Sequence, residues 1–261
     1  MRVAFDILSL LVIFGLILRY LTMKTKLAIW TVLIAGILFF FLYSFKKDDT
    51  KTVVKPIFNP NLTYGTVSDD DGNAYKTIQI GTQIWMAENL KTTKYRNGEP
   101  ISNVPDGTVW SALTTGAYCW HDNDNIANKA AYGALYNWYA VADSRNIAPL
   151  GWHVPTDDEW TTLTTYLGGE SVACDKLKEA GNSHWDSDTG ATNSSGFAAL
   201  PGSFRYANSK FDIVGYNGYW WSSTAFDASN AWLRYLYWHD ADVYRINYNE
   251  HSGLSVRCVK D

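Results

Sequence analysis

Residues 151–169 read GWHVPTDDEWTTLTTYLGG, and this stretch decides the fold class. Thr156 stands three residues before Glu159, the spacing of a capping box, in which each side chain takes up a backbone N–H of the other residue. Trp160, Leu163 and Leu167 follow at the spacing of one helical face. Gly168 and Gly169 end the helix with the conformational freedom that a helix C-terminus needs. Val172–Ala180 predicts a shorter helix stopped by Gly181. Upstream, Tyr132–Ala142 predicts another, with Leu135, Trp138, Tyr139 and Ala142 on one face. After Gly196 the pattern turns to strands: Phe197–Arg205, Tyr219–Thr224, Ala231–Trp238, Asp242–Tyr248 and Leu254–Lys260. An earlier strand, Ala74–Ile80, precedes a turn at Gly81-Thr82 and a second strand ending at Met86. Helices first and strands later, with long loops between, indicate an α+β domain.

Outward from this core the composition shifts. Residues 1–47 are almost wholly apolar and carry a net +5; the whole chain is −4, so residues 48–261 carry −9. So acidic a domain repels phosphate backbones, which argues against a nucleic-acid partner. Residues 27–45 (LAIWTVLIAGILFFFLYSF) hold no charge and approach the roughly 20 apolar residues of a spanning helix. Lys24 and Lys26 precede the run, so residues 23–45 read as a signal-anchor that leaves residue 46 onward outside the cytoplasm. No small-residue cleavage site follows. Met23-Lys24-Thr25-Lys26 has the form of a natural translation start, which makes residues 1–22 either an over-extension or a short first hydrophobic helix. The Leu42–Asp49 stretch resembles a lipoprotein signal but has Phe45 where such a signal requires Cys. Residues 46–66, charged and with Pro56 and Pro60, read as a linker, and 67–261 as one domain.

Candidate chemistry is sparse. Three cysteines allow one disulfide, Cys119–Cys258 being the preferred pair, or three buried thiols acting as small hydrophobes. Asp69-Asp70-Asp71-Gly72-Asn73 reads as a turn, since the twelfth position of a calcium loop would be Ile80 and not Glu. Asp122 and Asp124, in the oxygen-rich 120–125 segment, are weak calcium candidates; a solvated loop is the simpler reading. No other cofactor is indicated. There is no G-x-S-x-G elbow and no H-E-x-x-H. His121, His153, His184, His239 and His251 lack metal-ligand spacing, and His153 reads as a core histidine. A glycosidase-like carboxylate pair stays open, with no particular pair indicated.

Several motifs run in order through the domain: Asp71-Gly72-Asn73-x-Tyr75, Trp85-Met86-Ala87-Glu88-Asn89-Leu90, Tyr132-Gly133-x-Leu135-Tyr136-Asn137-Trp138, Gly151–Trp160, Tyr219-Trp220-Trp221-Ser222-Ser223-Thr224 and Ser255-Val256-Arg257-Cys258. By these, residues 67–261 resemble the Fibrobacter succinogenes major paralogous domain. The resemblance implies a C-type-lectin-like fold shared with the formylglycine-generating enzyme, whose signatures Pro155-Thr156-x-x-Glu159-Trp160 and Gly202-Ser203-Phe204 also resemble. That enzyme works through a cysteine pair shortly after its Gly-Gly-Ser turn. Here no Cys follows until Cys258, which matches a non-catalytic position, so the resemblance implies no thiol chemistry and no enzyme.

The segment richest in binding chemistry is the hairpin AWLRYLYWHDADVYRINY, residues 231–248. Strand side chains alternate faces. Leu233, Tyr235, Tyr237 and His239 therefore share one side of the first strand, and Asp242, Tyr244, Ile246 and Tyr248 one side of the second. Pairing through a turn at His239–Ala241 aligns these Tyr-rich sides and assigns Trp232, Leu236 and Trp238 to the core. Tyrosine supplies rigid contact area with a hydroxyl for specificity, although aromatics also suit an ordinary sheet surface. Residues 219–261 further resemble the variable region of retroelement-diversified lectin-fold proteins, whose codon scheme accommodates Leu233, Tyr235, Tyr237, His239, Asp240, Asp242, Tyr244, Ile246 and Tyr248. The expectation is a bacterial, membrane-anchored receptor or adhesin binding an extracytoplasmic protein or polysaccharide. Its face would comprise these residues together with Phe226, Asp227 and Asn230 of the neighbouring loop. Alternatives from other classes are a polysaccharide-active enzyme and a structural envelope subunit.

Overall fold

The computed structural model describes residues 55–187 and 190–261, together with residues 12, 14–17, 19, 20, 22 and 23, which are helical. The apolar run 27–45 and linker residues 46–54 lie outside the described residues. Among the described residues no helix is long and apolar enough to cross a membrane.

The main domain is α+β, built from helices and predominantly antiparallel sheets. A five-stranded antiparallel sheet has the order β1 (Gly65–Ser68), β2 (Ala74–Ile80), β3 (Gln83–Met86), β11 (Val259–Lys260), β7 (Trp152–His153). In β2 Tyr75 and Thr77 are buried on one side and Ile78 and Ile80 on the other, so the strand packs against two apolar clusters, Tyr75 in one and the two isoleucines in the second. A second sheet has the order β10 (Val243–Asn249), β9 (Asn230–Tyr237), β8 (Asn217–Ala225). A small third sheet joins β4 (Ser102–Asn103) to β5 (Ala117–Cys119) in parallel, and β5 to β6 (Leu135–Tyr136) antiparallel.

Five helices pack around these sheets: α1 (Gly107–Ser111), α2 (Asn125–Tyr132), α3 (Trp138–Val141), α4 (Asp157–Tyr166) and α5 (Glu170–Leu177). The capping box of α4 is formed as expected: the Thr156 hydroxyl accepts from the Glu159 N–H, and the Glu159 carboxylate accepts from the Thr156 N–H at 2.8 Å. Trp160 carries α4 into the core against Trp85, Phe197 and Trp220, with ring centroids 4.8, 5.9 and 6.5 Å away.

Several expected elements are differently built. Tyr132–Ala142 is not one helix. Gly133 takes φ 72°, ending α2; Leu135–Tyr136 pairs as a strand; and Asn137 caps the short α3 through the Ala140 N–H. Phe197–Arg205 forms only isolated bridges, because its backbone is committed elsewhere and Ala198 and Ser203 adopt φ of 51° and 58°. Of Leu254–Lys260 only the last two residues before the terminal Asp261 are a strand. The linker does not extend to residue 66: Phe58, Leu62 and Tyr64 pack on the core, and the Ile57 N–H donates to the buried Glu179 carboxylate. Cys119 and Cys258 are not joined. All three cysteines are free and buried, Cys258 in the main apolar cluster and Cys119 in a separate one with Trp110, Ala117 and Leu135.

The second sheet is clamped to α4 by charge. Asp157 accepts from Arg234 of β9 at 2.6 Å and from Arg245 of β10 at 2.8 Å, with the Arg234 side chain wholly buried. Burial alone would raise the Asp157 pKa, but the hydrogen bonds and charges of the two guanidiniums together hold it below the ordinary 3.8. A depressed carboxyl pKa stabilises the fold above its unfolded value, and the contribution fades as pH falls through the lowered folded value. Asp157→Ala should cost about 3 kcal/mol at pH 7, since it strands the buried Arg234 charge. It should also flatten the loss of stability below pH 4, as measured by urea unfolding across pH 3 to 7.

Candidate ligand-binding face

The register of the second sheet settles which side chains share a face. Tyr219 of β8 lies opposite Tyr235 of β9, and Tyr235 opposite Tyr244 of β10. Directly opposed aromatic pairs are favourable sheet contacts, and here they form a ladder: Tyr219 and Tyr235 stack at 5.3 Å and 25°, Tyr235 and Tyr244 at 4.4 Å and 8°. The Tyr-rich sides of the two hairpin strands thus align as the alternation predicts. Tyr219 is the member that sequence reasoning missed, because the partnership of β8 with β9 is not local.

The face is graded in depth. Leu233 is 1 % exposed, so it is core and not a contact residue; its place opposite Ile246 puts it over the main apolar cluster. Tyr219, Tyr235, Ile246 and Tyr248 are partly buried and pack on that cluster. Tyr237, Tyr244, Asp240 and Asp242 are half-buried, and His239 is exposed, its ring 4.3 Å from that of Tyr237. The opposite side is mixed too. Leu236 and Arg234 are buried, but Trp232 and Trp238 are only partly so. Arg245 lies 3.6 Å from the Trp232 ring centroid, and Phe226 meets that ring edge-on at 4.9 Å.

The hairpin turn is docked and not free. The buried Lys178 ammonium donates to the carbonyls of Trp238 at 3.2 Å and Asp240 at 2.9 Å, and the Cys174 N–H donates to the Ala241 carbonyl. Within the turn, Asp240 accepts from the Tyr244 hydroxyl at 2.7 Å and from the Asp242 N–H. That carboxylate bond pushes the Tyr244 pKa up to about 12, so its hydroxyl stays protonated at every physiological pH. In the adjoining loop the Asp227 carboxylate accepts from the Ser229 and Asn230 N–H groups and the Asn230 carboxamide, which fixes the loop against the start of β9.

At the outer end of β10 the sheet borders an open depression of about 390 Å³. It is lined by Tyr206, Ala207 and Asn208 of one loop, Asn247, Tyr248 and Asn249 of β10, and Asn230 and Ser252. Of these, only Asn230 and Tyr248 belong to the expected face. Scattered asparagines carry no periodic signal, so the sequence gives no hint that they converge.

The weak calcium candidates do not assemble. Asp124 caps α2, accepting from the Ile126 and Ala127 N–H groups, while Asp122 points to solvent at φ 50°. The 69–73 segment is a turn: Asp69 accepts from the Asp71 and Asn73 N–H groups and from the Tyr75 hydroxyl. Among the described residues no group of His, Cys, Asp and Glu is placed to hold a metal ion.

An α+β module with an aromatic ladder across one sheet and an amide-lined depression at its edge is thereby defined. The Fibrobacter succinogenes major domain matches residues 78–260, and the chain belongs to that family. No curated protein and no solved structure matches the chain.

The graded burial predicts unequal roles for the tyrosines. Tyr235→Ala removes a ring held between two others over the core and should cost about 2 kcal/mol. Tyr237→Ala should cost about 0.5 kcal/mol. Chemical denaturation of the two variants checks the difference.

Proposed function

We propose that this chain is a bacterial, membrane-anchored ligand-binding module, a receptor or adhesin whose domain lies outside the cytoplasm. It engages a protein or polysaccharide through the Tyr-bearing face of the second sheet. The observation that carries this reading is the stacked ladder Tyr219–Tyr235–Tyr244, anchored in the core at one end and open at the other. Rings already fixed by stacking lose little conformational entropy when a ligand settles on them, and their hydroxyls supply directional contacts. Tyr237, His239, Asp240 and Asp242 extend the face toward the turn, whereas the loop residue Phe226 packs on Trp232 of the opposite side and Asn230 alternates to that side with it.

The reading includes no catalytic step. Burial pushes the Cys119 and Cys174 thiols up to about 12 and Cys258 higher still, so none supplies a thiolate at neutral pH. A C-type-lectin-like fold, and diversification of the hairpin by a retroelement, belong to this proposal. Buried Leu233 would be a framework position in such a scheme, and the variable set would be the partly exposed Tyr, His and Asp residues.

The test is binding of purified envelope fractions and plant or cell-wall polysaccharides to the full chain in detergent. A Tyr237→Ala/Tyr244→Ala double variant spares the core-packed Tyr235. It should weaken binding by about tenfold or more while circular dichroism stays that of the folded protein and the melting temperature falls only by the few degrees expected from losing the Tyr235–Tyr244 stack. Unchanged binding by this folded variant would remove the Tyr face from the mechanism.

A further inference from the structure

The depression at the end of β10 has a lining with one consistent chemistry. Its side chains are carboxamides, hydroxyls and two aromatic rings, with no formal charge. No cation lines it to attract a phosphate or carboxylate, and no carboxylate to attract an amine.

The hydrogen-bonding capacity left over is unusually large. The Ser252 hydroxyl is buried and has no hydrogen-bond partner among the described residues, although a buried polar group normally does. The Asn247 carboxamide makes no hydrogen bond among the described residues, leaving two donors and an acceptor. Asn230 uses its amide nitrogen on Asp227, at 2.9 and 3.0 Å, and keeps its oxygen. Asn249 uses its oxygen on the His251 N–H at 3.0 Å and keeps its nitrogen. Asn208 likewise uses its oxygen on the Lys210 N–H and keeps its nitrogen. Donors and acceptors are therefore interspersed around one opening. Burial and the neighbouring Asp212 charge raise the Tyr206 and Tyr248 pKa values, so both hydroxyls remain neutral donors beside it.

From this we infer that the depression is a subsite for a neutral sugar residue. A pyranose presents adjacent hydroxyls, each donor and acceptor at once, which match the paired nitrogen and oxygen of a carboxamide. Its C–H faces suit the Tyr206 and Tyr248 rings. The volume of about 390 Å³ falls within the ordinary range of small-ligand sites. A peptide also offers neutral donors and acceptors, but its side chains need apolar recesses, and Ala207 is the one aliphatic residue in the lining. The inference rests on the binding-module reading and narrows its ligand to a glycan.

The experiment uses the full chain in detergent and a panel of methyl glycosides of neutral hexoses and N-acetylhexosamines, with methyl glucuronoside and capped diglycine as comparators. Binding is followed by saturation-transfer NMR and titration. At least one neutral glycoside should bind. Asn247→Ala and Ser252→Ala should each weaken it by about tenfold, the effect of losing a specific hydrogen bond to a ligand hydroxyl. Ser252→Ala removes an unpaired buried hydroxyl, so its melting temperature should equal or exceed that of wild type, which separates ligand loss from misfolding. The sugar subsite is overturned if only capped diglycine or the glucuronoside binds, or if neutral glycoside binding is indifferent to both variants. If a polymer is bound through Tyr237 and Tyr244 yet ignores Asn247→Ala, the sugar subsite falls and the Tyr face stands. If neither polymer nor glycoside binds, both fall.

Discussion

Arg257 holds the domain together from the inside. Its guanidinium is fully buried and donates to the Phe197 and Ala198 carbonyls and, at 2.9 Å, to the side-chain oxygen of Asn89. That same oxygen accepts from the Trp220 indole at 2.9 Å, while the Asn89 nitrogen donates to the Tyr132 carbonyl and the Ser255 hydroxyl. One carboxamide and one guanidinium thus tie together the segment after β3, the end of α2, the irregular 197–198 stretch, β8 and the segment that leads into β11. A charge so deep is tolerable only because its donors are satisfied and its flat faces lie on aromatic rings, Phe197 being 4.2 Å away. The cost appears in the backbone: Ala198 adopts φ 51° while its carbonyl and that of Phe197 serve Arg257.

From this hub the position of the second sheet follows. Trp220 fixes β8, β8 sets the register of β9, and β9 that of β10. Asp157 then locks β9 and β10 to the start of α4, and Lys178 locks the turn beyond them to the chain leaving α5. The hairpin is therefore held at its base, along its length and at its tip. Tyrosines carried on such a frame are pre-arranged, and a ligand meeting them need not organise the surface first.

Legibility in the sequence followed the range of the interactions. The α4 helix was readable because its capping box and apolar stripe lie within twelve residues, and β2 because local turns at Asp69–Asn73 and Gly81-Thr82 bound it. The aligned Tyr sides of β9 and β10 were readable because a short turn fixes their pairing. What escaped depends on distant partners. Tyr132–Ala142 has a helical stripe, but Gly133 and the pairing of Leu135–Tyr136 with β5 override it. The chain at 55–66 has the composition of a tether, yet Phe58 and Tyr64 find apolar surface contributed from far along the sequence. Cys119 and Cys258 cannot be told from a pair until their separate clusters are seen. Tyr219 joins the ladder across a sheet, and the asparagines of the β10 depression converge from segments that share no pattern.

The depth gradient across the tyrosine face follows from the same geometry. The second sheet packs on both sides, through Trp220, Leu236 and Val243 against one apolar cluster and through Leu233 against the other, so Leu233 and the inner edges of Tyr235 and Tyr248 are committed to the interior before any ligand is considered. Leucine there leaves only apolar atoms to hide, whereas tyrosine at 235, 244 and 248 can pack its ring and keep its hydroxyl near solvent. On the proposed binding reading, these residues would serve packing and recognition with different atoms of one side chain. A surface built this way can vary at its outer positions, Tyr237, His239 and Asp242, at little cost to the fold, while the inner positions stay fixed by the core beneath them.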